Sequence, residues 1–261
     1  MAEPQAATQG KRLTREQLLL LFCLLALTAL AWLMLLRMAR DMSAPGGMAD
    51  AAMGGMIMPW SLADALLMFT MWVVMMLGMM LPSTLPMLLI YQQMLRKRMP
   101  APQRHLALLL FCSAYGLVWV GFALVATVLQ WALEQLALLP GMRSSSTALG
   151  AGLLMVAGVY QWLPSKAACL EHCRGPLHFL LSYWRPDVLC GWRMGLAHGA
   201  YCVGCCWALM GLLFVVGVMN LFWVAVIAAF ILLEKSLPQG LWLSRLCGLL
   251  LLGWSLWLLL G

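Results

Sequence analysis

Seven apolar stretches, at residues 18–36, 61–81, 106–133, 147–163, 194–215, 218–233 and 246–261, take up more than half of the chain. Each is near the ~20 residues that a helix needs to cross the hydrocarbon of a bilayer. With 64% hydrophobic and 10% charged residues, the chain lacks the polar side chains that would cover a soluble domain. None of the stretches shows the ~10-residue alternation of a barrel strand, so an all-α, polytopic helical bundle is expected. The count is seven helices, or six if the short 218–233 stretch does not span. Residues 1–17 read as a polar cytoplasmic tail, and 18–261 as one integral domain with an interfacial Cys/His connection at 164–193.

The net charge of +7 could point to nucleic acid, but the basic residues sit in the connections beside apolar spans and read as topology signals. With the N-terminus inside, one side holds Lys11, Arg12, Arg15, Arg96, Lys97, Arg98, Arg104, Lys166, Arg174, Arg185, Arg193, Lys235 and Arg245. The other side holds Arg37, Arg40 and Arg143. This asymmetry predicts an N-in, C-out protein of a bacterial inner membrane, with the lipid bilayer as its first partner and no nucleic acid. No small-x-small cleavage site follows the first span, which is therefore read as a retained helix.

Local signals refine this outline. Residues 41–59 form a Gly- and Met-rich connection holding Met42, Met48, Met53, Met56 and Met58. Ser61, with Asp64 three residues on, has the pattern of a helix N-cap. Pro82 and Pro86 are expected to kink the second helix or to stop it before the basic loop. Aromatic and basic residues interleave near 166–184, which suggests a short interfacial helix.

Nine cysteines in a chain without a soluble ectodomain do not resemble a disulfide framework. Cys23, Cys112 and Cys247 stand singly in apolar spans, as small buried core residues do. The other six lie between Cys169 and Cys206. On a helix, His198, Cys202, Cys205 and Cys206 fall within roughly 100° of arc, so one face carries an imidazole and three thiols. Such soft donors select Cu(I), Zn(II) or iron–sulfur clusters, and Gly199 and Gly204 would let a neighbour approach closely. The alternative is three buried thiols and a hydrogen-bonded histidine. Cys169, His172 and Cys173 share a helical face by the same spacing and could join that site, or could be incidental to an interfacial helix. His178 and Cys190 are set aside as poorly spaced.

Methionine adds a third pattern. Met68, Met71, Met75 and Met79 fit within roughly 80° of arc, and a thioether ladder serves Cu(I) but not Zn(II). Methionine also packs well for its own sake. Glu234 could hydrogen-bond a ligand histidine from behind, or pair with Lys235 at the membrane edge. No phosphate-binding loop, Ser-His-Asp set or carboxylate pair supports hydrolytic or nucleotide chemistry.

A resemblance attaches to these same residues. The stretches MWVVMMLGMMLPS at 71–83, YQWLPSKAACLEHCR at 160–174, HGAYCVGCCWALM at 198–210, GVMNL at 217–221 and EKSLPQG at 234–240 resemble the successive motifs of a bacterial family of predicted metal-binding integral membrane proteins of unknown function. The resemblance runs from about residue 60 to 240 and implies metal binding, with the metal left open. The residues themselves favour copper(I) over zinc, in a protein that binds or transfers the metal rather than an enzyme. His198, Cys202, Cys205, Cys206, Cys169, His172, Cys173, Met71, Met75 and Met79 are the candidate ligands, Glu234 supports them, and a metal donor or acceptor protein is the expected partner. The alternative is a membrane thiol–disulfide oxidoreductase in which Cys202 and Cys205 form the redox pair and exchange with Cys169 or Cys173.

Overall fold

The computed structural model describes residues 14–42, 60–136 and 147–260, and among these the secondary structure is helical throughout. Nine helices follow in order: α1 (Arg15–Met42), α2 (Leu62–Arg98), α3 (Ala101–Gln135), α4 (Thr147–Tyr160), α5 (Pro164–Arg174), α6 (Pro176–Tyr183), α7 (Cys190–Gly211), α8 (Leu221–Ser236) and α9 (Gly240–Leu260). A single turn, Leu213–Val216, prolongs α7. Lys11, Arg12, Arg143 and most of the Met-rich connection lie outside the described residues.

All seven apolar stretches are helical, but the expected count of seven spans is corrected. Five helices, α1, α2, α3, α7 prolonged to Val216, and α9, are long and apolar enough to cross a membrane. A sixth span results if α4 and α5, bent by 64° at their junction, are taken as one. The remaining stretch forms α8, whose 16 residues reach only ~24 Å. Large apolar side chains also lie on the outer surface: Phe22, Leu109, Trp242 and Trp257 are exposed, as lipid-facing residues are.

Helix α2 begins where its capping sequence predicts. Ser61 Oγ accepts from the Asp64 amide, and Asp64 Oδ2 accepts from the Ser61 amide at 2.9 Å. It does not stop at its prolines, which removes one of the two expected outcomes: Pro82 and Pro86 both lie inside a 37-residue helix. The Ser83 and Thr84 hydroxyls bond the carbonyls of Met80 and Leu81 at 2.9 and 2.8 Å, so polar side chains accompany the backbone where each proline removes an N–H. At ~55 Å, α2 exceeds a ~30 Å hydrocarbon core, and its surplus ends in Arg96, Lys97 and Arg98.

Helices α3 and α7 pack in parallel, backbone on backbone. A Cβ at Gly191 would fall 2.1 Å from the Ala107 carbonyl oxygen, and one at Gly195 would fall 2.3 Å from that of Phe111. Only glycine permits that approach.

Contacts at the ends order the bundle. Glu16 of α1 pairs with Arg104 and lies 4.0 Å from Arg96, and the Arg98 guanidinium covers the Trp184 ring at 5.0 Å. The basic segments near 15, 96–104 and 184 therefore share one end. Helix α9 runs antiparallel to α4, with Ser244 Oγ bonded to Gln161 Oε1 at 2.7 Å and Ser255 Oγ to the Ala151 carbonyl at 2.8 Å. Since α4 in turn opposes α7, with Tyr160 at Gly204 and Gly150 at Val215, Leu260 points to the opposite end. Lys166 is an exception to the topology reading: it is a buried residue, 1% exposed, rather than a loop cation. The single interfacial helix expected near 166–184 is instead two, α5 and α6, and α5 turns inward against α7.

Candidate metal centre

Cys202 of α7 is fully buried and is the hub of the site. Three and four places on, Cys205 and Cys206 are buried as well, and their thiols donate to the Cys202 carbonyl at 3.1 and 3.0 Å. From the bent-in helix α5, Cys173 packs against the core that holds Cys202, Cys205 and Cys206, close enough for its thiol to interact electrostatically with Cys202 and Cys205. Cys169 presses its sulfur onto α7 at Gly204, where an added Cβ would lie 2.8 Å from Sγ. The Tyr160 hydroxyl holds the Gly204 carbonyl beside it. Two segments remote in sequence thus bring their thiols together, as the sequence allowed.

Charged and hydroxyl groups close around the Cys202 sulfur. Lys235 Nζ donates to it at 2.9 Å and to Ser83 Oγ at 3.1 Å, and Tyr115 Oη lies 3.2 Å from the same sulfur. Lys235 also lines a cleft of about 580 Å³, together with Glu171, Arg174, Ser236 and Pro238. One residue of its lining, Lys235, is thus also in contact with the hub thiol.

His198 lies one turn before Cys202 and is 2% exposed. Its ring stacks on Tyr115 with centroids 5.7 Å apart and meets Phe111 and Phe179 at 6.0 and 5.5 Å. Its Nδ1 has no hydrogen-bond partner among the described residues. A buried polar atom without a partner costs ~1–3 kcal/mol, and a soft cation is one group that would satisfy it.

Other predicted residues are placed differently. The ring of His172 stacks on Tyr201 at 4.1 Å and its Nδ1 faces the Ala168 carbonyl at 2.8 Å, so this ring is turned to Tyr201 while Cys173 reaches the thiols. Glu234 makes no hydrogen bond or ion pair with a histidine among the described residues. It pairs with Lys166 at 2.6 Å, both residues being at most 1% exposed, and Gln161 accepts from the same ammonium. The supporting role expected of Glu234 is corrected accordingly. Successive residues of a helix point ~100° apart, so Glu234 turns to α5 while its neighbour Lys235 turns to the thiols. Met71, Met75 and Met79 are at most 2% exposed and share one apolar core with Cys202, Cys205 and Cys206. The stripe therefore faces the interior, and at its far end Met68 Sδ accepts from Gln130 Nε2 at 3.7 Å.

All nine cysteines are free thiols. The reading of the three solitary ones as buried is corrected for Cys23, which is exposed, while Cys112 and Cys247 are half-buried. Sequence reasoning missed Lys235 as a partner of sulfur, and it missed Ser83 and Tyr115 altogether. No spacing rule joins residues so distant in the chain.

Among the described residues, no three His, Cys, Asp or Glu side chains stand in a finished metal-holding arrangement. The donor chemistry nonetheless suits a soft cation: four thiols gathered in one core and a histidine nitrogen without a partner among the described residues.

These features define a class first: an all-helical protein with several helices of membrane-crossing length and sulfur donors gathered in its core. The chain belongs to the PpoB2 copper chaperone family, whose model matches residues 69–258. That stretch contains every thiol and imidazole of the centre and the Met71, Met75 and Met79 stripe. Comparisons with curated proteins and with solved structures found no match.

Proposed function

We propose that this chain is a membrane-embedded copper chaperone of the bacterial inner membrane, oriented N-in and C-out. It receives Cu(I) at Cys202, Cys205, Cys206 and Cys173, with His198 and Cys169 as adjacent donors, and passes it to an acceptor protein. The observation that carries this reading is the meeting of Cys173 from α5 with Cys202 and Cys205 of α7, at the foot of a cleft lined by Lys235. Family membership supports copper as the cargo. Cu(I) prefers thiolate and thioether donors and accepts few of them, whereas structural Zn(II) requires a closed set of four.

Binding requires rearrangement. The Cys205 and Cys206 thiols, now bonded to the Cys202 carbonyl, rotate about χ1 to present sulfur to the ion. The Lys235 ammonium gives up its contact with Cys202, because two positive charges brought that close repel each other. Each thiol that ligates releases its proton, so uptake is accompanied by proton release. The methionines on α2 extend the donor set with thioethers, which need no deprotonation.

The test is a competition titration of purified protein with a Cu(I) chelator under reducing conditions. Wild type takes up Cu(I), and Cys206→Ser abolishes that binding. Full copper affinity in Cys206→Ser, or a reversible Cys202–Cys205 disulfide trapped in wild type, overturns the copper assignment in favour of the oxidoreductase.

A further inference from the structure

Counting in fours from the first residue of α7 gives Cys190, Met194, His198, Cys202, Cys206 and Met210. Every one carries a sulfur or imidazole donor, and none is more than 2% exposed. Residues four apart form one ridge on a helix, with ~6 Å of rise between neighbours. From Cys190 to Met210 the ridge therefore rises ~30 Å, the thickness of a bilayer's hydrocarbon core. Apolar packing alone would be served by leucine or alanine at each of these places. Donors at all six form a continuous file.

Contacts along the file support this. Cys190 Sγ donates to Met194 Sδ at 3.2 Å, so the first two rungs touch sulfur to sulfur. His198, the third rung, holds the Nδ1 that has no partner. The next ridge of α7 carries Gly191 and Gly195, which bring the α3 backbone against the helix and place Tyr115 beside both His198 and Cys202. The α2 helix supplies thioethers to both halves: Met87 in the core that holds Cys190 and Met194, and Met71, Met75 and Met79 in the core that holds Cys202, Cys206 and Met210.

We infer that this file is a path along which Cu(I) crosses the membrane, so that the protein translocates copper as well as holding it. The inference rests on the Cu(I)-binding reading above and adds movement to it. Cu(I) accepts few ligands, so an incoming donor can attach before the outgoing one leaves, with no change in oxidation state. Steps of ~6 Å lie within reach of flexible Met and Cys side chains on facing helices. Thioether rungs hold the ion without a proton exchange, which favours release.

The experiment uses the full chain reconstituted in phospholipid vesicles that enclose a water-soluble chromogenic Cu(I) chelator, with Cu(I) and reductant outside. Bound copper per chain is measured in parallel in detergent. Met194→Leu and Met210→Leu test opposite ends of the file; both conserve volume, and folding is checked by thermal unfolding. The expected result is protein-dependent colour in wild-type vesicles, reduced about tenfold or more by either substitution, with the thiol centre still loaded in detergent. Wild-type protein that binds Cu(I) in detergent but delivers no more copper than empty vesicles overturns the translocation path. So does uptake that neither substitution slows. Wild-type protein that binds no Cu(I) in detergent removes the binding reading itself, a different failure.

Discussion

Lys166 and Lys235 are both drawn in from the membrane edge, yet they meet opposite kinds of partner. Lys166 is sealed in the core against Glu234 at 2.6 Å, with Gln161 completing its shell and Ser244 holding Gln161 in turn. Lys235, only half-buried, faces the Cys202 sulfur and Ser83 and borders a cleft. The first is an ion pair that fastens α5 to α8, and it has no way out. The second is a cation resting on a ligand atom, with space beside it to withdraw. Adjacent residues of α8, Glu234 and Lys235, thus meet separate partners: one pairs with the bent-in helix α5, and the other rests on a thiol of α7.

The comparison breaks most readily at the sealed pair. Glu234→Gln or Lys166→Met leaves a buried charge without its partner, and the expected cost is ~3–5 kcal/mol, read as a lower thermal midpoint in detergent. Replacing both, Lys166→Met with Glu234→Leu, is expected to recover most of that loss. If the single substitutions leave the midpoint unchanged, the pair does not fasten α5.

At the open site the large effect falls on copper rather than on folding. Cys202→Ser is expected to weaken Cu(I) binding about a hundredfold or more while the protein still folds, as measured by chelator competition. Lys235→Met is expected to change stability by no more than ~1 kcal/mol and to tighten Cu(I) binding by about tenfold, because the competing cation is gone. A destabilisation equal to that of Lys166→Met would erase the contrast between the two lysines.

Smaller effects belong to the thioethers. The triple substitution of Met71, Met75 and Met79 to Leu is expected to cost less than ~1.5 kcal/mol in stability, since each change conserves volume, and to weaken copper binding severalfold. Unchanged binding would make the stripe packing alone. Reporter fusions after Met99 and Gly261 leave the fold untouched and test orientation. A cytoplasmic signal at Met99 and an external one at Gly261 are expected, and cytoplasmic signals at both would remove the N-in, C-out arrangement.

Much of this was legible in the residues. The seven apolar stretches are helices, the Ser61–Asp64 cap forms, and the buried face of α2 is the methionine face that its period predicts. The thiols of 169–173 and 202–206 were readable as belonging to one site or to two, since the sequence set both near the same end; with α7 starting at Cys190, residues 202–206 lie well inside the span, and α5 bends in toward them. The start of α7 was not read far enough back: with the helix beginning at Cys190 rather than 194, Cys190 falls into the same four-residue register as His198 and Cys202. The prolines of α2 left a helix stop open as an alternative because sequence signals for breaking a helix are calibrated on chains in water, where a broken helix can bond to solvent. In an apolar bundle the helix is retained, because an unmade backbone bond has no other partner.

The sequence by itself determined that the chain is helical, which faces carry sulfur, and that its donors suit a soft ion, because helical period and ligand chemistry are local properties of the residues. Only the tertiary structure decided that α5 bends inward, that Glu234 goes to Lys166 and Lys235 to Cys202, and that Cys173 reaches Cys205. These choices depend on close approach at Gly195 and Gly204 and on ~100° of rotation between neighbouring residues, and both take effect only once the helices have packed.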